Sequence, residues 1–427
     1  MQGRRPRHDP RAGPPGAEDR RPERHLRPTG RTVVGRRSVR VITLKPGRDG
    51  PVRTGHPWIF SGAIAAGLEG AEPGEAVRVV AANGRFLAAG YCNPRTPIAV
   101  RVLTTDDEPV EAALVHRRLD QALALREQLL GPGLDTYRVA NGEGDRLPGI
   151  VVDRYGDFVV CQFLTAGAAR LAPAVVSTLE ERLHPRGVFE RSEGAVRTEE
   201  GIPGARGVLA GDAPPLRLTI EEDGARFVVD VHHGQKTGFY LDQRETRRRV
   251  GALAAGRRVL NAFAYSGAFA IVAARAGARE VVSVDTSRPA LELGEAAWAE
   301  NGLAPAAGRF VVADVFDFLR AGEDRYELIV LDPPAFVRRR RDLVPGLRGY
   351  KDVNLQAFRR LVPGGWLVTS SCSQHLPRAA FREVVSAAAA DAGRAVQVVA
   401  EWGHPPDHPT ALAHAEGEYL KVLLLRA

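Results

Sequence analysis

The sequence predicts an α/β protein: a doubly wound domain preceded by a small β-rich module and a small α+β module. Three observations carry this. From about residue 231 short β-branched runs alternate with helical patterns, which argues a parallel sheet wrapped by helices. Residues 40–105 hold several short β-branched runs between Gly, Pro and Asn turns. Residues 135–230 read as strands, one helix, then strands.

Elements follow in order. Residues 1–38 are rich in Arg, Pro and Gly without periodic apolar positions, and read as a disordered basic tail. That tail is either an over-long start or a basic arm for RNA phosphates. Order begins at Arg40–Lys45. Arg78–Val80 and Ile98–Leu103 are strands, and Asn83-Gly84 signals a hairpin. The β-rich module covers 39–106. Residues 107–133 form an amphipathic linker helix, with Val110, Leu114, Val115, Leu119, Leu123 and Leu130 near helical spacing and Gly131-Pro132-Gly133 as its stop. The α+β module covers 134–230. Its strands are Gly149–Asp153, Phe158–Phe163 and Val188–Glu190, with a helix at 169–183, a loop at 192–215 and a last hairpin turned at Asp223-Gly224. In the doubly wound domain, 231–427, the strands are Arg258–Ala262, Glu280–Val284, Phe310–Val312, Leu328–Leu331 and Trp366–Thr369. Val396–Trp402 and Glu418–Leu425 then form an antiparallel edge.

The chain has 427 residues and a formal net charge of +8. Residues 1–40 hold 12 arginines against four acids, so the remaining 387 residues carry no net charge. A nucleic-acid role for the folded body must therefore rest on local patches. Three separated cysteines, Cys92, Cys161 and Cys372, build neither a disulfide framework nor a metal site, and fit a reducing compartment. No apolar run approaches the roughly 18 residues that span a bilayer. A cytoplasmic protein with no membrane partner and no metal is expected.

The motifs cluster at one edge of the predicted sheet. Leu260–Ala268 closes its first strand and opens a helix. Ser266-Gly267 allows close backbone approach, and the helix N-terminus offers free N–H groups. The sequence there is not GxGxxG, which counts against a dinucleotide and an NAD-dependent oxidoreductase. Asp285 ends the second strand, 24 residues after Asn261, where a carboxylate accepts from ribose hydroxyls. Asp314 follows the third strand, where it could reach an adenine amino group. Asp332 follows the fourth, in Asp332-Pro-Pro-Ala-Phe336. Each alone reads first as a helix N-cap; three in phase point to a nucleoside ligand. Cys372 follows the fifth strand among hydroxyl residues, facing the same crevice. Cys92 and Cys161 lie inside β runs as small hydrophobes. Cys372 is the candidate nucleophile, and Ser370, Ser371 and Ser373 read as loop hydrogen-bonders. The scattered histidines form no hydrolase triad.

From about residue 40 to the end, the chain resembles the bacterial RlmI family. Its members are S-adenosylmethionine-dependent 23S ribosomal RNA 5-cytosine methyltransferases with an N-terminal PUA domain. The resemblance rests on Gly55–Phe60, Leu147–Asp153, Glu190–Ser192, Gly234–Arg244, Asn261–Phe269, Asp332–Pro334, Ser371–Ser373 and Glu416–Lys421. It implies a class I methyltransferase domain at 231–427 and an RNA-binding PUA-like domain at 39–106, with Arg53, His56 and Trp58 as RNA contacts. It implies S-adenosylmethionine as cofactor, held by Asn261, Phe263, Tyr265, Ser266, Gly267, Asp285, Asp314 and Asp332, with Tyr240 and Gln243 from the segment that closes the pocket. It implies ribosomal RNA, 23S, as partner, and Cys372 and Asp332 as the catalytic pair. One departure is Ala268, where the family often has a second glycine. The chemistry agrees: a thiolate adding to carbon 6 of cytosine makes carbon 5 nucleophilic, and a carboxyl near ring N3 can hold the base and donate a proton. The target base must be single-stranded or flipped, and Phe336 could stack on it or pack in the core. Two rivals remain: an RNA methyltransferase acting on a base nitrogen, which needs no thiol, and a non-catalytic ribosome-assembly factor.

Overall fold

The computed structural model describes residues 39–131 and 133–427. The expected tail therefore lies outside the described residues.

The N-terminal module is a six-stranded sheet of Arg40–Leu44, Trp58–Phe60, Ile64–Ala66, Glu75–Val80, Phe86–Cys92 and Ile98–Thr104. Its only α-helix is one turn, Gly50–Arg53. The linker helix runs Ala112–Leu130 and packs Val115 and Leu119 on the next sheet. That sheet has five strands, Thr136–Asn141, Ile150–Tyr155, Phe158–Phe163, Gly187–Ser192 and Ala205–Gly211, with helix Ala166–Leu183 against it.

Two features differ from the sequence expectation. Residues 192–215 are not a plain loop: they hold helix Ala195–Glu200 and the edge strand Ala205–Gly211. That strand is half-exposed throughout, with Val208 and Leu209 facing water, so no alternation marks it. The hairpin Leu218–Glu222/Ala225–Val229 forms a two-stranded sheet of its own rather than joining the five-stranded sheet. Its Ile220, Phe227 and Val229 join one core both with Tyr155, Phe158 and Val160 of the middle module and with Val259, Ile271, Val281 and Trp298 of the following domain. Asn301 bridges its backbone, accepting from the Arg226 N–H at 3.1 Å and donating to the Arg226 carbonyl at 2.7 Å.

The large sheet has seven strands: β1 Arg258–Ala262, β2 Glu280–Asp285, β3 Gly308–Val312, β4 Tyr326–Leu331, β5 Leu361–Ser371, β6 Gln397–Trp402 and β7 Lys421–Arg426. Their order is β3-β2-β1-β4-β5-β7-β6, parallel from β3 to β5, with β7 antiparallel to both neighbours. Central strands are buried on both faces, and their alternation splits the core in two. Val259, Val281, Leu328 and Val330 face one helical layer; Leu260, Val282, Ile329 and Leu331 face the other, with Val353, Phe358 and Phe381. The register aligns Ala262 with Val284 and Leu331, and Leu331 with Thr369. Asp285, Asp332 and Cys372 therefore emerge at one edge. No helix among the described residues is long and apolar enough to cross a membrane.

Candidate active site

The strand ends open into a cavity lined by Phe263–Ser266, Asp285, Asp332–Pro334 and Cys372, and roofed by a strap that supplies Gln235, Lys236, Tyr240, Asp242 and Gln243. The turn after β1 is strained: Phe263 and Tyr265 have φ of 59° and 49°, in the left-handed region that side chains avoid. Asp285 holds the turn. Its Oδ2 accepts from the Tyr265 N–H and its Oδ1 from the Ser287 N–H, both at 2.8 Å. Each oxygen keeps a lone pair. Gly267 has φ 70°, and a Cβ there would stand 3.1 Å from Phe310 Cε1, so glycine suits both the turn and the packing.

The strap is tied to this turn by one hydroxyl. Tyr265 Oη accepts from the Gln235 N–H at 2.9 Å and donates to the Gly238 carbonyl at 3.2 Å, and its ring meets Tyr240 edge to face. Lys236 pairs with Asp242, lies 4.6 Å from the Tyr240 ring centre and has φ 52°. Burial alone would raise the Asp242 carboxyl; Lys236 and His408, with a hydrogen bond from Tyr419, hold it well below the usual range.

Asp332 is held from two sides: Gln243 Nε2 donates to its Oδ1 at 2.8 Å, and Ser370 Oγ donates to the same oxygen. Burial pushes its pKa up to about 6, against those two donors. The Cys372 thiol is pushed up to about 11, first by burial and then by the Asp332 charge, with Lys236 opposing. A thiol so placed is protonated at neutral pH, which a lone cysteine in a sequence does not reveal. Ser371 and Ser373 pin the loop through the Tyr350 hydroxyl, and Ser373 Oγ also accepts from the Val337 N–H at 3.0 Å. Cys92 and Cys161 are fully buried, whereas Cys372 is partly open to the cavity.

The predicted site residues separate into groups. Phe263, Tyr265, Ser266, Asp285, Asp332, Cys372, Tyr240 and Gln243 share the cavity. Asn261, Gly267 and Asp314 do not line it. Asn261 is sealed in the sheet with both amide atoms unpartnered. Asp314 is exposed and caps helix Val315–Ala321, accepting from the Asp317 N–H at 3.1 Å. Phe336 does not line the cavity: its half-buried ring packs 4.7 Å from Tyr350 and 6.4 Å from the cavity residue Phe263. His56 and Trp58 sit in a joint between modules. The Trp58 indole N–H donates to Glu143 at 2.9 Å, and its ring lies 4.4 Å from His414; His56 is 3.6 Å from Glu416. Arg53 alone of the three is exposed. Lys236 and Asp242 were not singled out from sequence, because a non-periodic strap hides which of its side chains turn inward.

The cavity fits a cofactor with an amino-acid end and a ribose. Asp242 Oδ1 and Gln243 Oε1 are buried acceptors without a donor, a match for an ammonium. Asp285 offers lone pairs to hydroxyls.

Comparisons with known proteins agree. A family model for S-adenosylmethionine-dependent methyltransferases matches residues 204–426, taking in the hairpin, and one for PUA-like domains matches 42–105. The chain is 42% identical over 391 residues to ribosomal RNA large subunit methyltransferase I of Salmonella arizonae, covering 90% of this chain and 97% of that one. It is 43% identical over 390 residues to the protein of the same name from Cronobacter sakazakii, covering 90% and 98%. Among solved structures, an S-adenosylmethionine-dependent methyltransferase from Streptococcus mutans shares the fold, with TM-score 0.78 and 21% identity over 91% of this chain and all of that one. A methyltransferase solved with SAH superposes at TM-score 0.79, also at 21% identity over 91% of this chain and all of that one. At that identity and coverage, this chain belongs to the ribosomal RNA large subunit methyltransferase I family, a PUA-like domain joined to an S-adenosylmethionine-dependent methyltransferase domain.

Proposed function

We propose that the protein methylates carbon 5 of a cytosine in large-subunit ribosomal RNA, with Cys372 as nucleophile and Asp332 as proton carrier. The observation that carries this is that the one cavity-facing cysteine lines the same cavity as Asp332, a carboxyl of raised pKa. The relatives' names supply ribosomal RNA as the substrate class.

Asp285 takes the ribose hydroxyls, and Asp242 and Gln243 take the ammonium of S-adenosylmethionine. When bound, the cofactor supplies an electrophilic methyl group. Asp332, mostly ionised at neutral pH, accepts the Cys372 proton as sulfur bonds to carbon 6. It passes that proton to ring N3, leaving an enamine whose carbon 5 takes the methyl. Loss of the carbon 5 proton to a base expels the Cys372 sulfur and restores the carbon 5–carbon 6 double bond; N3 then gives up its proton. Gln243 and Ser370 keep the Asp332 carboxyl aimed throughout.

Bisulfite sequencing of ribosomal RNA tests this reading. A deletion strain complemented with the wild type should protect one large-subunit cytosine. Complementation with Cys372→Ala should leave it converted, and Cys372→Ser nearly so, since a hydroxyl is a far weaker nucleophile. Wild type should form a denaturation-resistant adduct with 5-fluorocytosine RNA. Full protection by Cys372→Ala would overturn the thiol mechanism, and no protected cytosine in the wild-type strain would favour methylation of a base nitrogen.

A further inference from the structure

We propose that the exposed run Arg338–Arg341, with the groove beside it, grips the backbone phosphates of the RNA strand next to the target base. This rests on the RNA reading above and names the surface that would serve it.

Residues 41–427 carry no net charge, yet four consecutive arginines stand six to nine positions after Asp332. All four are exposed, as is Arg348 on the helix Leu343–Arg360 that follows. Exposed arginines elsewhere are mostly neutralised: Arg182 by Asp120, Arg288 by Glu292 and Glu295, Arg248 by Asp223. Among the described residues Arg338, Arg339, Arg340 and Arg348 have no ion pair, and Arg341 has only a 3.9 Å contact with Asp342. Unpaired guanidinium groups held together repel one another, so the run costs free energy unless an anion covers it.

Its position decides which anion. Arg340 lines a groove with Gln374, His375, Arg378 and Lys421, which Glu416 and Glu418 also line. Gln374 is two residues beyond Cys372, and the Lys421 ammonium donates to the Ser373 carbonyl at 2.6 Å. The groove therefore runs along the loop that presents the thiol. A base entering the cavity must be drawn out of its stack, and its flanking phosphates have to be held outside. Through Gln374 and Lys421 the groove meets the loop that carries Cys372, whereas His56 and Trp58 are engaged between modules.

The test compares wild type with a variant in which all four arginines become glutamine, and one in which all four become lysine. Binding of a cytosine-containing single-stranded RNA oligonucleotide is followed by fluorescence anisotropy over a salt series. Each phosphate contact adds about 0.7 to the slope of log affinity against log salt on a single strand. The glutamine variant should lose about 2–3 from that slope and show an RNA KM raised about tenfold or more. Its S-adenosylmethionine affinity and Tm should match the wild type. The lysine variant should recover most of the slope. An unchanged slope and KM in the folded glutamine variant would overturn the proposal. Failure of the RNA reading appears differently, as no methyl transfer to any RNA by the wild type itself.

Discussion

Asp332 shows how a single side chain couples chemistry to stability. Burial raises its pKa to about 6 while Gln243 and Ser370 oppose the rise. Between about pH 4 and pH 6 the folded protein thus holds a proton that the unfolded chain has released. Stability falls with pH wherever the folded state binds more protons, so this carboxyl is a growing liability across that window. In the Asp332→Asn variant the component of that fall due to this group should be absent, read as the difference between urea melts of variant and wild type across the range. Under the mechanism proposed above, activity should move the opposite way: kcat/KM of the wild type should rise through about pH 6 as Asp332 ionises. A pH–stability difference of zero would mean that the carboxyl titrates normally. The Cys372 thiol, at about 11, is not ionised in this range.

At the scale of elements, the strap and the turn after β1 act as one unit through Tyr265. Tyr265→Phe keeps the ring and its contact with Tyr240 but deletes a hydrogen bond at each end of the hydroxyl. At about 0.5–1.5 kcal/mol for each bond, S-adenosylmethionine affinity should drop severalfold to about a hundredfold by calorimetry. Asp285 and its own turn should stay intact. The sequence made some of this unit legible and not the rest. β1, β2, β4 and β5 were readable because both-face burial favours β-branched and aliphatic runs, and Asp285, Asp332 and Cys372 follow from where the runs of β2, β4 and β5 stop. The inward turn of Lys236 and Asp242 is fixed by tertiary contacts in a segment without period, so no pattern announces it. Asn261 is the opposite case. It sits inside β1 beside Val259 and Leu260, and burial of the strand seals it away from the cavity that Phe263–Ser266 of the same motif line. The edge strand Ala205–Gly211 escaped because water covers half of it.

At the scale of the whole molecule, residues 39–427 cannot be treated as separable modules. The Tyr91 hydroxyl of the PUA-like sheet donates to the Pro148 carbonyl at 2.6 Å and lies 2.7 Å from Thr165 Oγ1, and a Cβ on Gly167 would strike the Tyr91 ring. Arg126 grips Asp145 and the carbonyl of Asp407, tying the linker helix to the C-terminal loop. A further tie is Glu200. Its Oε1 takes the Arg101 guanidinium at 2.7 Å, and its Oε2 takes the Asn93 amide at 2.8 Å and the Ala166 N–H at 3.2 Å. Arg101 and Glu200 are buried to 7% and 1% exposure, so removing one partner strands a charge without water. Glu200→Ala should therefore cost about 3–5 kcal/mol, the range for breaking a buried ion pair from one side, seen as a lower urea midpoint. Glu200→Gln keeps acceptor and shape but not charge, and should cost less. Both variants should bind S-adenosylmethionine normally below their transitions, because Glu200 does not line the cavity. A loss under about 1 kcal/mol in Glu200→Ala would mean that water reaches Arg101 and that the joint between modules is loose.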